Sequence, residues 1–103
     1  MRFSLHFQPQ AEQKLEEMRG QNRKKLRKVL KCLGLLELDP KYPGLNSHRY
    51  EDFDDVRGEK IWESYVENKT PGAYRVFWHY GPDDGEITVI AITPLHEDGT
   101  RRY

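Results

Sequence analysis

The chain has 103 residues, enough for one domain spanning 1–103 and too few for a second, and its single cysteine, Cys32, excludes an internal disulfide or a cysteine-based zinc cluster. Seventeen Lys and Arg residues balance seventeen Asp and Glu residues, so the net charge predicts neither a nucleic acid nor a membrane as partner. The chain contains six tyrosines, four phenylalanines and two tryptophans, which argues against a disordered chain. No apolar run approaches the roughly 20 residues that span a bilayer, so we expect a soluble, cytoplasmic protein.

The first half of the chain is predicted to form a strand followed by two helices. Apolar and polar residues alternate over 3–7, which is typical of a half-buried strand. Pro9 suits the first turn of a short helix that ends at Gly20. From Asn22 onward, leucine and valine recur every three or four residues until Pro40, which predicts a longer second helix. The short interval between the helices predicts a helical hairpin.

The second half is predicted to form strands. Residues 39–59 are rich in proline, glycine and charge, and they predict a long connection with a brief strand at 48–50. Three further strands are predicted over 60–67, 73–80 and 86–93, separated by segments with the Pro and Gly residues of turns. Such short connections join antiparallel neighbours. The sequence therefore predicts an α+β domain, with the N-terminal strand and helical hairpin packed on one face of a small antiparallel twisted sheet.

The predicted strand over 73–80 carries the first candidate site. Successive side chains point to opposite faces, so Arg75 and His79 share a face that is opposite the Tyr, Val and Trp positions. If the helices cover the Tyr, Val and Trp side, Arg75 and His79 lie on the open face of a central strand, where a guanidinium can bind a phosphate through two parallel hydrogen bonds. The alternative is that Arg75 pairs with Glu63 or Glu67 on the neighbouring strand, and the pattern does not decide between the two.

Histidines provide the second set of candidates. None of the four has the spacing of a metal site, so we expect no metal. His96 follows the last predicted strand, where an imidazole that titrates near neutrality can act as a general acid or base, and the alternative is a solvated loop histidine. The cases for His48 and His79 are weaker, because His48 lies in an irregular connection and His79 has packing against Phe77 as its alternative.

The second predicted helix is strongly basic. Seven Lys and Arg residues and no acid lie between Met18 and Leu36, whereas 51–67 contain seven acids. A cationic helix face can follow a phosphate backbone, and the alternative is the solvated side of an amphipathic helix. The candidate phosphate contacts on this face are Lys24, Lys25, Lys28 and Lys31.

The segment 72–78, GAYRVFW, followed by a turn and the apolar strand 87–92, resembles the RelE/ParE superfamily of toxins from bacterial toxin–antitoxin modules. The segments 61–65 and 91–94, IWESY and AITP, are similar to a RelE/ParE-like subgroup. The resemblance spans nearly the whole chain. It implies the α+β toxin fold and a cognate antitoxin protein as partner.

The RelE branch of this superfamily implies a specific chemistry. Its toxins cut messenger RNA in the ribosomal A site, through attack of a ribose 2′-hydroxyl on the adjacent phosphate, without a metal or other cofactor. Arg75 matches the family arginine, which implies a role in stabilising the phosphorane. His96 matches the terminal catalytic histidine of YoeB-like toxins, and Tyr103 lies near the stacking tyrosine of RelE. The resemblance thus implies Arg75 and His96 as catalytic residues and places Tyr103 with the substrate. His79 is assigned to substrate binding because the alternation places it on the same face as Arg75.

Two alternative functions remain open at the level of the sequence. The chain has zero net charge and places Glu97 and Asp98 directly after His96, where RelE is rich in lysine and arginine. In the ParE branch the same fold poisons DNA gyrase without a nuclease site, and fold does not determine function. The third possibility is a non-catalytic module that only binds an antitoxin.

Overall fold

The structure is a computed structural model that describes residues 2–50, 58–67 and 72–94. Two α-helices and a short 3₁₀ turn at Pro43–Leu45 accompany five strands. In chain order the elements are β1 (Ser4–Phe7), α1 (Pro9–Gln21), α2 (Arg23–Leu38), β2 (His48–Arg49), β3 (Trp62–Tyr65), β4 (Tyr74–Tyr80) and β5 (Glu86–Pro94). The strands form one sheet in the order β1-β5-β4-β3-β2, which makes β4 an inner strand. The predicted α+β class is confirmed.

One residue, Asn22, separates the two helices. Its backbone N–H donates to the carbonyl of Met18 and ends α1, while its side-chain oxygen accepts from the N–H of Lys25 at 3.0 Å and begins α2. Pro9 occupies the first turn of α1, as predicted. Gly20, in contrast, is helical rather than the end of α1, because the asparagine caps both helices within a single position.

The sheet is mixed. Strands β3, β4 and β5 form the predicted antiparallel meander, and β2 pairs antiparallel with β3. Strand β1 instead lies parallel to β5, with Ser4 opposite Glu86 and Phe7 opposite Val89. The helical hairpin intervenes between β1 and the rest of the sheet, so no tight turn sets the direction of β1. The turn signals alone predicted a wholly antiparallel sheet, and this prediction is wrong for β1.

The two faces of the sheet carry separate apolar clusters. The helices pack on one face, and this main core includes Val29, Leu33, Leu36, Val76, Trp78, Ile87 and Val89. The second cluster, on the opposite face, is formed by Tyr50, Ile61, Phe77, Ile90 and Ala91. A bulge produces part of it: Phe77 pairs with Ala91 and Trp78 with Val89, so Ile90 is the extra residue.

The second cluster corrects one prediction. Arg75 and His79 share a face with Phe77, as the alternation predicted, but this face is not open: Arg75 is 5% exposed and His79 is 8% exposed. The ring of Tyr50 packs edge-on against Phe77 at 5.3 Å between centroids. The sequence pattern could not show that the connection before β3 and the bulge in β5 bring apolar side chains to this face.

Candidate functional site

Arg75 is the centre of the candidate site, and β4 holds it rigidly. The residue lies opposite Tyr65 of β3, and its guanidinium carbon is 3.7 Å from the centroid of the Tyr65 ring. Its Nη1 donates to the backbone carbonyls of Glu67 at 2.6 Å and Tyr74 at 3.1 Å. The ring contact and the two carbonyls fix the plane of the guanidinium against the sheet.

Glu63 supplies the negative charge beside this guanidinium. Its side chain is fully buried, and Oε2 lies 3.7 Å from Nε of Arg75. That distance permits Coulombic attraction but is too long for a hydrogen bond. Within the described ranges the Nε–H of Arg75 is buried without a hydrogen-bond partner. One of the two pairings open at the sequence level, Arg75 with Glu63, is thus present, whereas Glu67 meets Arg75 through its carbonyl and not its carboxylate.

His48 lies on the edge strand β2 and contacts both Glu63 and Tyr65. Its Nδ1 is 2.8 Å from the carbonyl oxygen of Asn46, its Nε2 is 2.8 Å from Oε1 of Glu63, and its ring packs edge-on against Tyr65. The carbonyl oxygen and an ionised carboxylate are both acceptors. Every form of the ring carries at least one N–H, so His48 donates at one or both of these contacts. Glu63 thus contacts the His48 ring with one carboxylate oxygen and faces the Arg75 guanidinium with the other.

Sequence reasoning missed this pair. The brief strand at 48–50 was predicted, but its partner was not, and only the pairing of His48 with Glu63 across β2 and β3 brings the two side chains together. A histidine and a glutamate on the same face of adjacent strands is the signal that would have found them. The four residues Arg75, Glu63, His48 and Tyr65 are called the arginine cluster below.

The other predicted catalytic and substrate residues do not join the arginine cluster within the described part of the chain. His79 lies on the same face as Arg75 but four residues along β4, about 13 Å away along the strand. Its Nδ1 is 2.9 Å from the carbonyl oxygen of Tyr80, to which it donates. His96 and Tyr103 lie outside the described residues.

The four predicted lysines divide into two pairs. Lys25 and Lys28 both bind the carboxylate of Glu67, and Lys25 also lies over the ring of Tyr74. Burial acts to raise the pKa of Glu67, but hydrogen bonds from the two lysines outweigh it, so the pKa lies below its usual range. Lys24 and Lys31 are exposed. Phosphate binding by Lys25 or Lys28 would have to compete with Glu67.

Other kinds of site have little support in the described ranges. No group of three or more His, Cys, Asp or Glu side chains there is placed to hold a metal ion. Burial raises the pKa of the Cys32 thiol to about 12, which leaves it protonated and a poor nucleophile. None of the helices in these ranges is long and apolar enough to cross a membrane.

Solved structures of bacterial and archaeal toxins share this fold. A YoeB/ParE toxin from Agrobacterium tumefaciens superimposes with a TM-score of 0.70 at 8% identity, over 91% of this chain and 100% of that one. The archaeal RelE–RelB complex from Pyrococcus horikoshii OT3 gives 0.64 at 15% identity, over 91% and 96%. The YoeB–YefM complex from Staphylococcus aureus gives 0.65 at 13% identity, over 93% and 100%. No protein-family model and no curated protein sequence matches the chain.

These superpositions establish the fold predicted from the segment 72–78: two helices on a five-stranded mixed sheet, as in the RelE and YoeB toxins. At such low identity the likeness concerns the fold alone.

Proposed function

We propose that the chain is the toxin of a toxin–antitoxin module and acts in the cytoplasm as a ribosome-dependent endoribonuclease that cuts messenger RNA. The observation that carries the proposal is the fold, shared over at least 91% of the chain with YoeB and RelE toxins. Two of those structures are complexes, RelE with RelB and YoeB with YefM, which supports a cognate antitoxin as partner.

The arginine cluster suits cleavage by a ribose 2′-hydroxyl. The reaction builds negative charge on a phosphorane, and a preorganised guanidinium stabilises that charge. The buried Nε–H of Arg75 has no hydrogen-bond partner in the described ranges. It can therefore donate to a phosphate oxygen. The reaction also needs proton transfer to the departing 5′-oxygen. His96 is proposed for that step from the resemblance, and His48, which contacts Glu63 beside Arg75, is the alternative imidazole.

A second candidate is a toxin of the same fold that acts on DNA gyrase and cuts no RNA. The burial of Arg75 favours it, because a side chain that is 5% exposed and bound to two carbonyls already has a structural role. A nuclease, by contrast, needs a change of structure that exposes the guanidinium of Arg75 before a phosphate can bind to it.

Single-turnover cleavage of ribosome-bound message, measured beside melting curves, tests the proposal. Loss of a transition-state donor costs a factor of about 10²–10³ in rate and loss of a proton-transfer group about 10²–10⁴, so Arg75→Ala and His96→Ala should each slow cleavage by such factors. The matched control is Arg2→Ala, because the Arg2 side chain is exposed and its contact with Glu37 is long, at 3.9 Å between Nη1 and Oε1.

The outcomes separate the two candidates. For the nuclease, the variants lose cleavage without a matching loss of folded protein, and wild-type protein halts cell-free translation. If the message stays whole while supercoiling by purified gyrase is blocked, the gyrase candidate replaces the nuclease. If Arg75→Ala and Glu63→Ala lower the melting temperature together and activity falls only with folded protein, Arg75 is structural.

A further inference from the structure

A pocket lined by aromatic side chains lies between the sheet and the segment that follows α2. Its volume is about 190 Å³, and residues of the segment 40–47 line one side while Trp62, Trp78 and Tyr80 line the other. Trp78 is part of the main core under the helices, and Trp62 packs against that core. Arg75 lies on the opposite face of the sheet, so this pocket, called the aromatic pocket below, is separate from the arginine cluster.

The rings on the sheet side of the pocket hold one another in place. Trp62 and Trp78 stack with 5.8 Å between centroids and 17° between planes. Tyr80 packs edge-on against both, at 6.0 Å from Trp62 and 5.0 Å from Trp78. Nε1 of Trp78 donates to Oγ of Ser64 at 2.8 Å, and both residues are fully buried. This wall is therefore formed before any ligand arrives, which lowers the cost of binding.

Tyr42 lines the other side of the pocket and leaves room for a flat ligand. Its side chain is 46% exposed, and its ring lies over Gly44, where an added Cβ would be 2.7 Å from Cε2. Within the described ranges the Tyr42 ring makes no contact with the rings of the sheet side. Stacked rings lie about 3.5–4 Å apart, so a planar ring can enter between two walls that do not touch. Pockets for drug-sized ligands have about 300–1,000 Å³, so this smaller one suits a single ring system.

Two polar side chains of the pocket indicate what kind of ring it takes. The side-chain amide of Asn46 lines the pocket and makes no hydrogen bond within the described ranges. An amide offers a donor beside an acceptor, which complements the N6 and N7 edge of adenine, whereas guanine offers two acceptors at that edge. Lys41 also lines the pocket, is exposed and has no ion-pair partner in these ranges. It supplies one positive charge, enough for one phosphate group.

We propose that the aromatic pocket binds a free adenine mononucleotide. The base stacks between Tyr42 and the rings of the sheet side, its N6 and N7 edge pairs with the amide of Asn46, and its phosphate meets Lys41. Base stacking on aromatic side chains with hydrogen bonds to one base edge is a common mode of nucleotide recognition. The inference rests neither on cleavage of message nor on an antitoxin, so it stands or falls separately from the proposed function.

Two other ligands fit the aromatic pocket less well. An RNA strand needs a row of cations along its backbone, whereas the lining of this pocket contains one lysine and no arginine. An alkylammonium cation would gain from the rings and from Asp39, whose charge, after burial, raises the pKa of Tyr80 and so acts close to the pocket. Such a cation is repelled by Lys41, however, and leaves the amide of Asn46 without a partner.

Isothermal titration calorimetry of the full chain with adenosine 5′-monophosphate (AMP) measures the affinity. We expect a dissociation constant on the order of 10–100 µM, at least about tenfold tighter than for guanosine 5′-monophosphate. Adenosine, which lacks the phosphate, should bind about two- to fivefold more weakly than AMP. Both tryptophans of the chain line the pocket, so AMP should also quench their fluorescence when they are excited where adenine does not absorb.

Variants with matched controls test each contact. Tyr42→Ala should weaken AMP binding at least about fivefold, whereas Tyr42→Phe, which keeps the ring, should not. Asn46→Asp removes the donor but tolerates the left-handed backbone at φ 49°, and it should abolish the preference for AMP over the guanosine nucleotide. Lys41→Gln should make AMP and adenosine equal, whereas Lys24→Gln, at the far end of α2, should leave their difference unchanged. Circular dichroism checks that each variant is folded.

Four results would overturn the proposal. No binding of AMP at about 1 mM, or equal binding of the guanosine nucleotide or inorganic phosphate, excludes an adenine site. Binding that survives both Tyr42→Ala and Asn46→Asp lies elsewhere on the chain. An oligoadenylate that binds more tightly than AMP and is lost in Tyr42→Ala identifies an RNA strand as the occupant. Choline that binds more tightly than AMP identifies a cation site.

Discussion

Glu67 joins α2 to the sheet, and its charge can be removed with little change of shape in Glu67→Gln. The carboxylate is 9% exposed and accepts from Lys25, Lys28 and the backbone N–H of Tyr74. Lys28 is half exposed, so its pair is worth about 0.5 kcal/mol. Lys25 is 18% exposed, and a charged hydrogen bond there is worth about 1.5 kcal/mol. The expected loss is about 2 kcal/mol.

Thermal melting followed by circular dichroism measures this loss. For a domain of this size, 1 kcal/mol corresponds to about 4–8 °C, so Glu67→Gln should lower the melting temperature by roughly 10 °C at pH 7. The matched control is Glu16→Gln, because the Glu16 side chain is 76% exposed and its contact with Arg19 is long. We expect Glu16→Gln to stay within about 0.5 kcal/mol of wild type.

The same pair of proteins should also differ with pH. The folded-state pKa of Glu67 is lowered, so the unfolded chain takes up the proton first as the pH falls. The stabilisation is complete above the unfolded pKa of about 4.3 and is lost as the pH drops through the folded value. The gap between wild type and Glu67→Gln should therefore close in acid. An unchanged melting temperature in Glu67→Gln at pH 7 would refute the reasoning and leave Lys25 and Lys28 free to bind phosphates.

Three further predictions follow from single features of the helices. Cys32 should resist thiol-modifying reagents at pH 8 in the native protein and react once the protein is unfolded in denaturant, because burial raises its pKa to about 12. Gly34→Ala should raise the melting stability by about 0.5–1 kcal/mol, since the added methyl group meets no neighbour, and a loss of stability would contradict this. If Lys24 and Lys31 contact phosphates, replacing both with Gln should lower the log–log salt slope of ribosome association by about 2 without changing stability, and an unchanged slope makes them part of a solvated face.

The elements that the sequence predicts well are those set by neighbours along the chain. The three- and four-residue spacing of leucines over 26–36 places α2 within a residue or two, and the turn residues around 81–85 place β4 beside β5. Both depend on contacts between residues that are close in sequence. The direction of β1 depends instead on a distant partner, because β5 lies about 80 residues away in the chain, as in the pair Ser4 and Glu86.

The exposure of the site could not be predicted for a related reason. The run 87–92 is apolar throughout, so its pattern does not reveal the face of each side chain or the bulge at Ile90. Phe77 was placed correctly beside Arg75, but the residues that bury it come from β5 and from the segment around Tyr50 and Ile61. The residue types of the site could be read from the sequence, whereas its burial required the packed structure.

The two candidate RNA-binding regions lie on opposite sides of the sheet, and this has a consequence for the proposed nuclease. Arg75 lies on the sheet face opposite the helices, whereas Lys24 and Lys31 are exposed on α2. One phosphate cannot contact both regions, so α2 can take part in docking but not in the chemical step. If the chain acts on the ribosome as proposed, replacing Lys24 and Lys31 with Gln should weaken ribosome association in a sedimentation assay and leave the single-turnover rate of cleavage at saturation unchanged. If association is unchanged in that variant, α2 takes no part in docking.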